Sequence, residues 1–398
     1  MVRRLSIGLR VLLSAFVLSA CGGGTAASDA DTASTAQALS AQANLGEKIF
    51  NDTSISASGQ QACATCHVAN SGHAADNDLP VQMGGAALEL QGKRSSPSIR
   101  YLATNSEFHF ASDGTPTGGF FWDGRAKSLQ DQAGHPFTNP VEMANISISE
   151  VVDRLSHAAY ADEFKRLFGA DIFTRPDDAF SRMTLALQQF QREDTIFRAF
   201  SSKYDEFLRG KASLSDQELR GFALFNNPAK GNCAACHPSA KNSDGSHPLF
   251  TDFSYDNLGI PRNPDLQQNA DPTFFDLGLC AREGGDMASR SDLCGAFKVP
   301  SLRNVALRKV FFHNGRFKSL KDALTFYVQR DTNPEKFYPL NADGTVKKFD
   351  DLPTQYHANV NTSEVPYNRR SGDAPALSDA EIEDVIAFLQ TLNDGYKR

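Results

Sequence analysis

Cys63-Ala-Thr-Cys66-His67 and Cys233-Ala-Ala-Cys236-His237 decide how this chain is read. In Cys-x-x-Cys-His, two thiols can add to the two vinyl groups of a porphyrin, and the next residue brings an imidazole beneath the iron. The chain holds seven Cys and nine His in 398 residues, so two such matches by chance are negligible. A zinc site of four cysteines would leave His67 and His237 unexplained, and a redox dithiol needs a βαβ setting that the sequence lacks. Each motif therefore predicts one covalently bound haem c, with His67 and His237 as proximal iron ligands.

The approach to each motif is repeated. Leu45-Gly-Glu-Lys-Ile-Phe50 precedes the first and Arg220-Gly-Phe-Ala-Leu-Phe225 the second. Gly-x-x-x-Phe has the spacing of a short amphipathic helix, so two copies of helix, loop and Cys-x-x-Cys-His lie one domain apart. Other segments also read as helical. Ile382, Val385, Ile386, Leu389 and Leu392 share one helix face behind a Ser378/Glu381 capping box. Phe180, Met183, Leu187 and Phe190 form a similar stripe, and Ser215 with Glu218 caps another helix. Stretches 103–120, 226–300 and 331–376 are rich in Gly, Pro, Asn and Asp and predict long loops that cover or shape something. The expectation is an all-α fold with a domain at 43–207, a second at 208–398, and a hinge from Lys203 to Ser215.

The beginning of the chain reads as an export signal. Met1 to Arg4 is basic, Leu5 to Val17 is mostly apolar but interrupted by Arg10, and Leu18-Ser19-Ala20-Cys21 ends in a cysteine. The apolar run is too short to span a membrane. Residues 1–20 resemble a bacterial lipoprotein signal peptide, with Cys21 as the lipidated N-terminus. Gly22 rather than Asp implies sorting to the outer membrane, on the periplasmic side. Residues 21–42, Gly-, Ala-, Ser- and Thr-rich over 22–40, predict a flexible tether.

The formal net charge is -7. Removal of the signal, which carries three arginines and no acid, makes it more negative. That balance argues against a nucleic-acid partner and allows a basic protein one. Cys280 and Cys294 remain. In an oxidising compartment they predict a structural disulfide around a polar loop, the alternative being free thiols.

Between the haem motifs lie Phe120-Phe-Trp-Asp-Gly-Arg-Ala-Lys-Ser-Leu129 and Asn139-Pro-Val-Glu-Met143. After the second come Phe297-Lys-Val-Pro-Ser-Leu-Arg-Asn304 and Phe311-Phe-His-Asn-Gly315. In these motifs and their order, residues 43–393 resemble the bacterial dihaem cytochrome c peroxidase and MauG family. The resemblance implies two cytochrome c-like helical domains facing each other. The His67 haem would react with hydrogen peroxide, and the His237 haem would relay or store oxidising equivalents. It implies Trp122 as the relay between haems, where the alternative is a core aromatic. It implies Gln132 and Glu142 over the peroxide haem. Cleaving a bound peroxide moves a proton from the inner to the outer oxygen, work that a positioned carboxylate can do.

Two departures from the peroxidase pattern matter. Many family members close the peroxide haem with a distal His from a loop matched here by Gly84 to Gly92, which has none. His73 and Met83 are the nearest candidates: His73, six residues past His67, would have to wrap round the porphyrin, and Met83 could slot in but a loop Met is more often packing, so an open peroxide haem is expected. Dihaem peroxidases ligate the other iron with a Met fourteen residues after the His matched by His313. That position is Tyr327, as in MauG, and no Met follows residue 287. A phenolate would suit a haem that holds an oxidising equivalent; the alternative is a core tyrosine.

The family also carries a calcium ion between its domains, held partly by an Asn where this chain has Ser95. The carbonyls of Arg308 and Val310 match the other ligands, and the lost amide weakens the expected affinity. The expected function is a peroxidase fed by a small donor, a cytochrome c or a cupredoxin. The alternatives are a MauG-like oxidase acting on a protein substrate and a non-catalytic dihaem electron carrier.

Overall fold

The computed structural model describes residues 38–397. The signal peptide, Cys21 and most of the tether lie outside the described residues. Residues 38–398 fall into one compact unit. It is mostly helical: α1 (Ala41–Phe50), α2 (Cys63–Cys66), α3 (Leu129–Thr138), α4 (Ile148–Ser156), α5 (Ala161–Phe168), α6 (Pro176–Glu193), α7 (Lys203–Leu208), α8 (Asp216–Asn226), α9 (Leu320–Gln329) and α10 (Asp379–Gln390). Strand among the described residues is confined to three two-residue antiparallel ladders. No helix there is long and apolar enough to cross a membrane.

Two main cores form inside the unit. One gathers Leu45, Ile49 and Phe50 of α1 with Met183, Leu187 and Phe190 of α6. The other gathers Phe225 of α8 with Ile382, Val385, Phe388 and Leu389 of α10. In each, a glycine lets two helices touch. A Cβ at Gly46 would lie 2.0 Å from the Ala186 carbonyl oxygen, and one at Gly221 would lie 1.9 Å from that of Asp384. The expected capping boxes open α8 and α10.

The repeat is deeper than the haem approaches alone. Phe120-Phe-Trp-Asp-Gly-Arg-Ala-Lys-Ser and Phe311-Phe-His-Asn-Gly-Arg-Phe-Lys-Ser take the same shape. Each closes a bridge, Phe120 with Ala126 and Phe311 with Phe317. The second Phe of each has φ of 65°. Each then starts a helix with a serine N-cap, Ser128 for α3 and Ser319 for α9. Pro97-Ser-Ile-Arg100 and Pro300-Ser-Leu-Arg303 are likewise paired: Ser98 and Ser301 donate to the carbonyls of Gly72 and Leu249, both at 2.6 Å.

Two expectations need correction. The tether ends before residue 42, because Ser40 caps α1 and its amide and hydroxyl both donate to the Glu193 carboxylate. The segment from Lys203 is not a hinge but starts with α7. Its Tyr204 belongs to the second core, so a division between 207 and 208 would cut a helix. Asp205 on α7 is fully buried and accepts from both terminal nitrogens of Arg303 at 2.9 Å.

Candidate active site

At the first Cys-x-x-Cys-His, α2 presents Cys63 and Cys66 on one turn, and His67 follows as its cap. The His67 Nδ1–H donates to the carbonyl oxygen of His73 at 3.0 Å. At the second, the His237 Nδ1–H donates to the carbonyl of Phe250 at 2.7 Å. His73 and Phe250 occupy equivalent turns, with φ of 53° and 54°. A carbonyl can only accept, so each imidazole keeps its other nitrogen for a metal. Burial lowers the pKa of both, favouring the neutral ligand form.

These residues fit two haems. Cys280 and Cys294 form the expected disulfide, whereas Cys63, Cys66, Cys233 and Cys236 stay free. Their burial pushes the thiols up, to about 12 for Cys63, Cys233 and Cys236 and about 11 for Cys66. A cavity of about 240 Å³ is walled by Cys233, Cys236 and His237 on one side and reaches Trp122 and Gln132 of the first half. Tyr327 of α9 also lines it, its ring 5.6 Å from that of Phe312. Burial first, then the neighbouring Cys233, holds the phenol well above its ordinary pKa. Only a cation at the hydroxyl would favour the phenolate.

Glu142 sits in the turn after α3. That turn is pinned by the Met143 amide donating to Pro136 and by the Ala57 amide, just before the first haem motif, donating to Met143. Buried Asn145 donates to the carbonyls of Ile55 and Phe137. The Glu142 charge is close enough to Cys66 to raise that thiol further. Burial raises the Glu142 pKa, against the pull of Arg125, Asn139 and Lys93. Gln132, one of the buried residues of α3, faces the cavity. Trp122 donates its indole N–H to the Ser95 carbonyl at 2.8 Å, and its own carbonyl accepts from the Lys298 amide at 2.8 Å.

His73 lies on the proximal side. Its ring packs 4.4 Å from that of Phe197 and accepts from Arg100 Nε at 3.0 Å. Arg100 and Asn304 both bind Asp394, so the His67 support reaches the C-terminal half. The sequence reading gave no part to Arg125, which stacks 3.7 Å over Phe121 beside Glu142, or to buried Lys298. Both fall inside motifs already quoted: Arg125 lies three residues from Trp122, which was the available signal, whereas only the fold brings Lys298 to Trp122.

The calcium expectation does not fit. Arg308 donates from Nε to the Val310 carbonyl at 3.3 Å, and from its terminal nitrogens to the Ser96 carbonyl at 3.2 Å and the Ser95 hydroxyl at 3.3 Å. A guanidinium thus occupies the oxygens that Ser95 and Val310 were expected to offer a metal.

The family of di-haem cytochrome c peroxidases matches residues 40–213. The chain is 34% identical to the methylamine utilization protein MauG of Paracoccus denitrificans, over 89% of each chain. It is 32% identical to the cytochrome c551 peroxidase of Nitrosomonas europaea, over 71% of each. Among solved structures it is similar to the diheme peroxidase BthA of Burkholderia thailandensis, with TM-score 0.81 and 35% identity over 89% of this chain and 86% of that one.

Proposed function

Because the chain belongs to the di-haem cytochrome c peroxidase and MauG family, whose members bind two c-type haems, we propose that it reduces hydrogen peroxide to water at the His67 site. The net reaction takes up two electrons and two protons per peroxide and yields two waters. When bound, the haem on Cys63, Cys66 and His67 supplies the iron that holds peroxide and accepts its oxidising power. Everything else falls to the chain.

Glu142 carries this reading. Burial raises its pKa above the ordinary carboxylate value, which makes the carboxylate a stronger base toward the peroxide proton. It takes the proton from the inner peroxide oxygen and delivers it to the outer one, so that water leaves. Gln132 orients the peroxide by hydrogen bonding. Trp122, anchored at both its indole N–H and its carbonyl, passes the second oxidising equivalent toward the His237 site. Tyr327, which lines the cavity beside Cys233 and His237, would hold that haem together with His237. Electrons arrive from a small donor protein, a cytochrome c or a cupredoxin, on the periplasmic face of the membrane to which Cys21 tethers the chain.

A second reading is favoured by Tyr327: stored equivalents drawn from residues of a protein substrate, as in a MauG-like oxidase. The experiment that tests the first is steady-state peroxide consumption with a reduced cytochrome c, comparing wild type with Glu142→Gln. Turnover that depends on Glu142 supports it; peroxide consumption that ignores the substitution sinks the assignment.

A further inference from the structure

We propose that Arg308 is a built-in replacement for the bridging calcium of the family: a cation that the chain supplies itself, making the protein independent of that metal. The donors around its guanidinium are the argument. All are uncharged oxygens: two carbonyls, from Val310 and Ser96, and the Ser95 hydroxyl. Neutral carbonyls and hydroxyls are what a hard cation takes, whereas an arginine drawn partly out of solvent, as half-buried Arg308 is, ordinarily finds a carboxylate. Among the described residues no carboxylate pairs with Arg308. Burial alone acts on its pKa, lowering it to about 10, so it stays charged at neutral pH.

The place matters as much as the chemistry. Ser95 is buried, its amide donates to the His313 carbonyl at 2.7 Å, and its carbonyl accepts from Trp122. Arg308 therefore braces the residue that joins the Trp122 loop to the His313 loop. A calcium ion on the same oxygens would face a fixed positive charge at contact distance, and like charges repel. Arg308 acts through Ser95, so it is a positioning residue rather than a catalytic one. The inference does not depend on the peroxidase assignment, because it is read from metal content and haem spectra.

The test uses the holoprotein, full chain. Elemental analysis of wild type should find no stoichiometric calcium, and dialysis against EGTA should leave the absorption and EPR spectra of both haems unchanged. Stoichiometric calcium whose removal alters those spectra would overturn the proposal. Arg308→Ser opens the site while leaving the backbone carbonyls and Ser95 in place. This variant should bind calcium in a titration with calcium chloride, and its haem spectra should change in EGTA and recover with calcium. Arg308→Lys, which keeps a cation there, should hold the wild-type spectra in EGTA. Spectra of Arg308→Ser that match wild type without calcium, or that calcium fails to restore, would count against the proposal. Should Arg308→Ser fail to fold, the wild-type metal content and the Arg308→Lys spectra still decide it.

Discussion

Trp122 donates its indole N–H to the carbonyl oxygen of Ser95 at 2.8 Å. It ties Trp122 to the second half through Ser95, whose amide donates to the His313 carbonyl, while the Lys298 amide reaches the Trp122 carbonyl directly. Trp122→Phe keeps the ring but leaves the Ser95 carbonyl without its donor. The cost should be about 1–3 kcal/mol of stability, seen as a lower midpoint in denaturant. In stopped-flow mixing with peroxide, the phase that involves the His237 haem should slow while the first encounter with peroxide is unchanged. Unaltered internal transfer would remove Trp122 from the relay.

The raised pKa of Glu142 makes a pH prediction. A protonated carboxyl cannot accept the peroxide proton, so kcat/KM should rise with pH through the Glu142 pKa, above the ordinary carboxylate value, and then level. Glu142→Gln should erase that limb and lower kcat/KM by about 10²–10⁴. Arg125 pulls the pKa down, so Arg125→Met should move the limb to higher pH. A limb unmoved by either substitution belongs to another group.

Replacing Tyr327 with Met should raise the reduction potential of the His237 haem, since a thioether favours ferrous iron. A spectroelectrochemical titration reads this directly. A potential that does not move would make Tyr327 a wall residue of the cavity rather than a ligand.

Acid stability should follow Asp205. The Arg303 guanidinium and the Ser202 hydroxyl outweigh burial and hold its carboxyl down to about 2, from an ordinary 3.8. A depressed pKa stabilises the fold fully above the unfolded value and loses that contribution as pH falls through the folded one. The share is about 2 kcal/mol, lost between roughly pH 4 and 2. Asp205→Asn should cost about 3–5 kcal/mol at neutral pH, because it leaves Arg303 buried and unpaired. Thermal melts across pH test both statements.

What the sequence disclosed was local. The two Cys-x-x-Cys-His motifs, the Ser215/Glu218 and Ser378/Glu381 caps and the α10 stripe need only neighbours within a few residues, and the structure has them, except that α10 ends at Gln390, before Leu392. The Cys280–Cys294 bond was legible because the two cysteines flank a loop with no other covalent tie. The supposed hinge failed for the opposite reason: Asp205 finds Arg303 98 residues away. Arg308 reaches the Ser95 hydroxyl across 213 residues, so its occupation of that expected calcium position left no trace in spacing. The duplicated Phe-Phe-x-x-Gly-Arg segments were visible in the sequence, but their shared conformation and helix caps emerge only from the backbone.

An open peroxide haem on His67 would work with a second haem that holds an oxidising equivalent. EPR of the resting ferric protein, repeated after one equivalent of hydrogen peroxide and no reductant, tests it most directly. The resting protein should give one high-spin and one low-spin ferric signal, with both lost on peroxide. Two low-spin signals that ignore peroxide would contradict it.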